Sequence, residues 1–355
     1  MKLAILNDTH CGARNSSEVF MDYQEKFYSD VFFPYLLENN IDEIIHLGDY
    51  YEHRKFVNFK ALEHNRKIFL DKLREYKIHM RIIPGNHDVF YKNTNDLCSL
   101  KELMGHYVDC VTIEMQPTIV DEEEYGIPIA LVPWINAENY AETMEFIKNC
   151  RAPIIGGHFE FSGFEMYKGI PNPHGMDTSA FTRFESVLSG HFHTKSSRGN
   201  IHYLGSQMEF TWGDCDDPKY FHVLDTQTRE LTAVHNPYTL HSKVVYNDEK
   251  MDYNSYDVSQ LDNQFVKVVV EKKTDYFAFD RFIDRMQQRP IHELKIAESF
   301  EQFLGDNVED EEIALDDTQV LLDSYVEAVE TEADKDKLKT LLRGLYVEAQ
   351  NTQLV

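Results

Sequence analysis

No run of apolar residues in the sequence approaches the roughly 18 that a membrane-spanning helix requires, which argues against a helical membrane protein. Cysteine is scarce, with five residues scattered at Cys11, Cys98, Cys110, Cys150 and Cys215. An odd number without a CxxC pair excludes a disulfide framework and a thiolate metal site, and predicts a reducing compartment, the cytoplasm. There is no GxxxxGK[ST] loop, so the chain has no P-loop for hydrolysing a nucleoside triphosphate. The chain opens directly into a strand-like run, Lys2–Leu6, so no cleaved signal is predicted. Positive charge is also short: 35 Lys and Arg stand against 61 Asp and Glu, a net charge of −26. That is the wrong sign for a protein that lives on nucleic acid alone. The excess is local, however. Residues 301–336 hold fourteen acids and one base, so half of the net charge sits in one tenth of the chain and says little about any other face.

What is present is ample for a folded core: 355 residues, 42% of them hydrophobic, enough for two domains or one large domain with an appendage. Strand-like segments recur at Leu3–Leu6, Glu43–Leu47, Met80–Ile83, Ile127–Val132, Pro153–Ile155, Ser186–Leu188, Ile201–Leu204, Phe221–Leu224 and Leu231–Val234. Long helical patterns at Asp22–Glu38 and Phe59–Glu75 separate the early ones. The order βαβαβ followed by strand-rich sequence predicts an α/β layered fold with mixed sheets over residues 1–240. Residues 241–300 read as a small α+β unit, with strand Phe265–Glu271, helix Tyr276–Gln288 and strand Glu293–Glu298. An acidic linker is predicted over 301–317, and amphipathic helices over 318–355. The last helix carries Leu338, Leu341, Leu342, Leu345, Tyr346 and Ala349 on one stripe.

Five short motifs each follow a predicted strand: Asn7-Asp8-Thr9-His10, Gly48-Asp49-Tyr50, Gly85-Asn86-His87-Asp88, Gly157-His158 and Gly190-His191-Phe192-His193. Any one of them is common. A lone histidine is more often a satisfied core residue, and Gly-Asn is a turn signal. Together they offer hard carboxylates, borderline imidazoles and one amide oxygen, a donor set suited to Mn²⁺, Fe²⁺ or Zn²⁺. Strand ends would deliver them to one rim, where α/β proteins build sites. His46, His64, His79, His106, His202, His222, His235 and His292 lie outside the motifs and read as structural or surface residues.

In this order the five motifs resemble those of the calcineurin-like metallophosphoesterases, across residues 1–240. The resemblance implies two mixed β-sheets flanked by helices and a centre of two divalent metal ions, most simply Mn²⁺, with Mg²⁺ the other candidate. It implies that Asp8, His10 and His193 hold one metal, that Asn86, His158 and His191 hold the other, and that Asp49 bridges them. His87 would face the scissile phosphate without binding metal, and Asp88 would bond to His87 and fix its tautomer.

The segment Tyr203–Asp214, with Gly48–Lys55 and His158–Gly169, is further similar to the SbcD-type DNA double-strand-break repair nucleases and their T-even bacteriophage counterparts. That likeness implies a 3′-to-5′ exonuclease on duplex DNA and a structure-dependent endonuclease. It also implies that residues 241–300 cap DNA, that residues 318–355 dock an SMC-like (SbcC-type) ATPase, and that two copies pair through Phe59–Glu75 and Asp96–Met104. A viral source and host cytoplasm would follow. Cellular relatives often have a histidine three residues after the bridging Asp. Glu52 stands there in this chain, with His53 beside it, and neither is assigned a role. Arg14, Lys55, Lys168, Lys195 and Arg198 lie in loops beside the motifs and are the candidates for DNA contact, against the plainer reading of solvated surface. The competing function is a phosphatase or cyclic-nucleotide phosphodiesterase on the same core, since a fold alone does not set the substrate.

Overall fold

Strands buried on both faces read as near-continuous apolar runs, and Lys2–Leu6 (β1) and Glu43–His46 (β2) come near that pattern, whereas His79–Ile82 (β3) alternates, burying Met80 and Ile82 and leaving His79 and Arg81 half-buried. The computed structural model describes residues 1–167, 170–172, 175–297, 335, 337–339 and 342, with backbone alone at 166, 167, 170 and 171. In chain order the further strands are Val111–Ile113 (β4), Thr118–Val120 (β5), Ile129–Val132 (β6), Ile154–Gly157 (β7), Glu165–Tyr167 (β8), Ile170–Pro171 (β9), Ser186–Ser189 (β10), Ser196–Arg198 (β11), Ile201–Tyr203 (β12), Tyr220–Asp225 (β13), Leu231–His235 (β14), His241–Asn247 (β15), Phe265–Lys272 (β16) and Glu293–Ala297 (β17). Two six-stranded sheets form, in the orders β14-β13-β1-β2-β3-β4 and β11-β12-β10-β7-β6-β5. Both are mixed: β1 runs parallel to β2 and antiparallel to β13, and β6, β7, β10 and β12 run parallel while β5 and β11 run against them.

Alternation of side chains along each strand makes the layers. Leu3, Ile5 and Ile45 meet Ile129, Leu131, Ile154 and Leu188 between the sheets. Ala4, Leu6, Ile44 and Met80 turn the other way, onto Phe27, Phe32, Phe69 and Leu73 of the helical layer. Ala130, Val132, Ile155 and Val187 likewise back onto Ile147 and Phe181. Each large apolar side chain withdrawn from water contributes roughly 1.5–3 kcal/mol. The result is a helix–sheet–sheet–helix stack.

The long helices differ from their expected form. Asp22–Glu38 was expected as one α-helix, but it runs Glu18–Phe27, a π-turn at Tyr28–Phe32, then Phe33–Glu38. Pro34 has no N–H to donate, and the ladder widens in the turn just ahead of it. Phe59–Glu75 similarly breaks at a π-turn, Arg66–Leu70. Its apolar stripe, Leu62, Phe69, Leu70 and Leu73, is wholly used by the chain's own core.

Residues 241–297 form a third, three-stranded parallel sheet in the order β15-β16-β17. Helix Tyr276–Gln287 lays Phe279, Phe282, Ile283 and Met286 on it, and the Asp275 side chain caps that helix at the Ala278 N–H (3.0 Å). The strand β15 is absent from the sequence reading. Met1–Phe300 is one compact unit. The expected acidic linker lies outside the described residues. So does most of the terminal stripe, of which only Leu338 and Leu342 are described, both helical.

Candidate metal centre

All five motifs sit at the carboxyl ends of parallel strands. Asp8 and His10 follow β1, Asp49 follows β2, and Asn86, His87 and Asp88 follow β3, all from the first sheet. His158 follows β7, and His191 and His193 follow β10, from the second. The chain turns sharply at these points: Asp8 (φ 49°), His10 (φ 45°), Asp49 (φ 55°) and His191 (φ 87°) all adopt left-handed backbone. Such conformations cost non-glycine residues of order 1–3 kcal/mol and persist only where surrounding contacts hold them. Here Asp8 N–H donates to the Gly48 carbonyl (2.9 Å) and His10 N–H to that of Asp49 (3.1 Å). Gly48 and Gly85 make the approach possible: a Cβ on Gly48 would lie 2.7 Å from Gly85 Cα, and one on Gly85 only 2.1 Å from Asp49 Oδ1.

Three groups of ligand-type atoms result, each with its atoms within 4.8 Å of one another: Asp8–His10–His193, Asp49–His158–His191, and His10–Glu52–His87, which shares His10 with the first. His10 Nε2 and His193 Nε2 face each other at 3.1 Å. His158 Nε2 lies 3.2 Å from Asp49 Oδ2 and 3.0 Å from Asn86 Oδ1, and His191 Nδ1 is 3.1 Å from the same amide oxygen. These are buried or half-buried lone pairs converging on one another, the arrangement a divalent cation satisfies.

The electrostatics agree. Burial opposes a charge on His10, but the carboxylates of Glu52, Asp49 and Asp8 outweigh it and raise its pKa to about 10. Burial likewise opposes charge on His158, where Asp49 prevails and lifts it to about 9. His191 and His193 go down, from burial and from the neighbouring imidazoles His158 and His10 respectively. Protons on imidazoles thus balance the buried carboxylates, and metal binding would release them. Asp49 acts on the first two groups together, since its charge raises His10 and His158 alike.

The model of the calcineurin-like phosphoesterases matches residues 1–195. Exonuclease subunit 1 of Enterobacteria phage T4 is 31% identical over 352 residues, covering 98% of this chain and 99% of that protein. The chain is a calcineurin-like phosphoesterase. Among solved structures, an archaeal phosphodiesterase superposes at a TM-score of 0.34 with 14% identity, covering 66% of this chain and 100% of that one. A dimetal phosphatase from Danio rerio reaches 0.36 with 8% identity, covering 63% and 91%.

The surroundings of the phosphoesterase centre hold its ligand-type groups in place. Asn7 Nδ2 donates to Asp8 Oδ2 (2.6 Å) and to the Gly205 carbonyl (2.8 Å). His158 Nδ1 meets the Leu47 carbonyl at 2.7 Å, which assigns the proton there and leaves Nε2 for a metal. One expectation is corrected. Asp88 does not bond to His87. Its carboxylate is filled by backbone N–H groups of Tyr50 (3.0 Å), Tyr51 (3.0 Å) and Gly85 (2.9 Å), so it braces the turns beneath the site. His87 Nδ1 instead meets the Glu52 carbonyl at 2.5 Å.

Glu52 is the residue that sequence reasoning passed over. Its Oε2 lies 2.7 Å from His10 Nδ1, while its main-chain oxygen holds His87. Burial would raise its pKa, yet the imidazole of His10 prevails and holds it down at about 2. The available signal was a carboxylate three residues beyond Asp49. A second support gave no signal: buried Lys219 donates to the His193 carbonyl (3.0 Å), Asp214 (2.5 Å) and Asp217 (2.9 Å).

The basic candidates are not gathered in this way. Arg14 Nε donates to the Phe210 carbonyl (2.8 Å), next to a ring that touches His10 and His193. Exposed Lys195 lies over Tyr220, and Arg198 bonds the Gly163 carbonyl (2.6 Å) and lies over Phe164. Lys55 is exposed, and Lys168 lies outside the described residues. Among the described residues, no helix is long and apolar enough to cross a membrane.

Proposed function

We propose that this phosphoesterase is a two-metal-dependent DNA nuclease, a 3′-to-5′ exonuclease on duplex DNA and a structure-dependent endonuclease. It would prepare DNA ends for recombination and double-strand-break repair, as one subunit of a complex with an SMC-like ATPase. The observation that carries the reading is the joint arrangement of two ligand clusters on one rim, in a chain that aligns end to end with an exonuclease subunit. Asp8, His10 and His193 would hold one ion, Asn86, His158 and His191 the other, and Asp49 both. Two divalent cations, Mn²⁺ in this reading, supply positive charge for the phosphodiester anion and acidify a water. With Nδ1 committed as donor to Glu52, His87 has Nε2 free to hold a proton toward the leaving oxygen. Lys55, Arg14, Lys168, Lys195 and Arg198 remain the candidates for phosphate contacts, with further DNA affinity coming from the partner ATPase.

The sheet at 241–297 would cap the DNA, and residues 318–355 would dock the ATPase. A homodimer would use the surface around Phe56 and Phe59, 60% and 86% exposed, rather than the buried stripe of the helix that Phe59 opens. The decisive experiment measures Mn²⁺-dependent release of nucleotides from end-labelled duplex DNA beside hydrolysis of a generic phosphodiester dye. Release from DNA is expected, and activity on the dye alone would instead establish a phosphatase or cyclic-nucleotide phosphodiesterase. A pull-down with the SMC-like ATPase tests the complex.

A further inference from the structure

Beside the metal clusters lies a cavity of about 400 Å³ that the chemistry above does not use, walled by Trp134, Asn136, Tyr140, His158, Glu160 and Met176. His158 belongs to both. Its Nε2 faces Asp49 and Asn86, and its ring meets the Trp134 indole edge-on at 5.9 Å between centroids. The same indole lies 5.5 Å from the His191 ring. Trp134 is therefore the residue through which the cavity adjoins the second ligand cluster.

Its position is built rather than incidental. Trp134 N–H donates to the Pro84 carbonyl (2.9 Å), on the loop that carries Asn86 and His87. The Trp134 carbonyl accepts from the side-chain amides of Asn95 (2.9 Å) and Asn139 (3.0 Å). Tyr140, half exposed at 49%, adds a second aromatic ring to the lining. Two polar side chains of the lining, Asn136 and Glu160, already have partners. Asn136 donates to Asn95 Oδ1 (2.8 Å) and accepts from the N–H groups of Glu138 and Asn139, and Glu160 accepts from Asn172 (3.0 Å). Such a pocket offers flat apolar faces and few free hydrogen-bonding groups to read an edge.

We propose that this cavity is a nucleobase subsite, receiving the base of the nucleotide whose phosphate lies at the metal centre and holding it by stacking on Trp134 and Tyr140. The subsite rests on the nuclease reading. Its volume lies in the range of small-ligand pockets, and stacking on an aromatic face is tolerant of base identity. The engaged state of Asn136 and Glu160 points the same way, to a nuclease that accepts all four bases. The pocket gives the enzyme a grip on an unpaired terminal nucleotide, because a base inside a duplex has no free face to offer.

The test is calorimetric titration of the full-length chain in Mn²⁺ with dAMP, dGMP, dCMP and TMP, and with 2-deoxyribose 5-phosphate, which has the sugar and phosphate but no base. The wild type should bind the four nucleotides within a few-fold of one another, and about tenfold or more tighter than the sugar phosphate. Trp134→Ala should erase that preference while leaving the sugar phosphate bound as before. Trp134→Phe should keep most of it, and Tyr140→Ala, at an exposed position, should lose part of it without endangering the fold. Equal binding of nucleotide and sugar phosphate by the wild type overturns the proposal. So does an equal loss of both in Trp134→Ala, which would make Trp134 only a prop for His158 and His191. If the chain fails to degrade DNA but keeps a Trp134-dependent preference for dAMP, the nuclease reading falls and the subsite stands. DNA degradation without that preference gives the reverse.

Discussion

The metal rim and the three-stranded sheet at 241–297 are stabilised in opposite ways. On the rim, four site residues sit in left-handed backbone, carboxylates are buried, and imidazoles face each other across about 3 Å. In the sheet, regular parallel strands bury Val244, Val266 and Val268 beneath Phe279, Phe282 and Met286, and Tyr246 stacks on Tyr253 at 4.2 Å. Among the described residues every potential metal cluster lies on the rim. The rim is held by polar contacts from residues such as Glu52, Asp88 and Lys219, whereas the sheet is held chiefly by its own apolar core, with Glu209 fixing its first strand. A substitution on the rim should therefore remove chemistry while sparing the fold, and one in the sheet should do the reverse.

The largest expected effects are on the rim, and they separate two kinds of residue there. Asp49→Ala should lose bound metal and reduce hydrolysis to background. His87→Ala should keep its full complement of metal and lose hydrolysis by about 10²–10⁴-fold, the usual contribution of a positioned acid–base group. Elemental analysis beside the kinetics checks both. Equal metal loss in the two variants would sink the role given to His87. In the sheet, Phe282→Ala removes a ring that is 1% exposed and should cost about 3–5 kcal/mol of stability. Scanning calorimetry should show the loss. Hydrolysis of a small phosphodiester dye should persist at temperatures where duplex digestion has already failed. Parallel loss of both activities would mean that rim and sheet are not separable.

The same contrast decides what could be read from the sequence. The rim was legible because its chemistry is carried by residue type at strand ends, and Asp8, His10, Asp49, Asn86, His158, His191 and His193 converge there in the fold. The supports were less so. The partner of Asp88 is a set of backbone N–H groups, and nothing in a sequence says which amides will turn toward a carboxylate. Lys219 reaches His193 across 26 positions. The sheet was legible where periodicity is strong, in β16 and its helix. It was missed at β15, because His241-Ser242-Lys243 opens that strand with polar residues, two of which stay half-buried. Glu209 explains how that segment docks, since its carboxylate accepts from the N–H groups of Leu240 and His241, both at 2.7 Å.

A smaller effect tests whether the rim depends on support from outside its ligands. Glu52→Gln keeps the backbone carbonyl that holds His87 and removes the negative charge 2.7 Å from His10 Nδ1. Outer partners of metal-binding histidines typically contribute about 10–100-fold in metal affinity or activity. Titration with Mn²⁺ should show a weakening of that order, with thermal stability nearly unchanged. Unaltered metal affinity would make Glu52 a holder of His87 alone.

The smallest expected effect concerns a histidine away from the rim. His10 and His222 are both buried, yet they shift in opposite directions. Carboxylates surround His10 and raise it to about 10. His222, on β13, has burial acting first, Lys195 and His202 adding positive charge, and no hydrogen-bond partner for either ring nitrogen, so it falls to about 3. The sign of the linkage follows. Between about pH 6.5 and pH 3 the unfolded chain takes up a proton at His222 that the folded chain refuses, so stability from this residue is complete above 6.5 and is lost as the pH falls. At pH 5 the loss is about 1–2 kcal/mol. His222→Phe, which cannot titrate and leaves no buried nitrogen without a partner, should flatten the acid limb of the stability curve by that amount. The variant should gain on the wild type at pH 5 more than at pH 7.5. Denaturant unfolding at the two pH values measures the difference, and an equal offset at both would show that the folded ring of His222 takes up its proton as readily as the unfolded one.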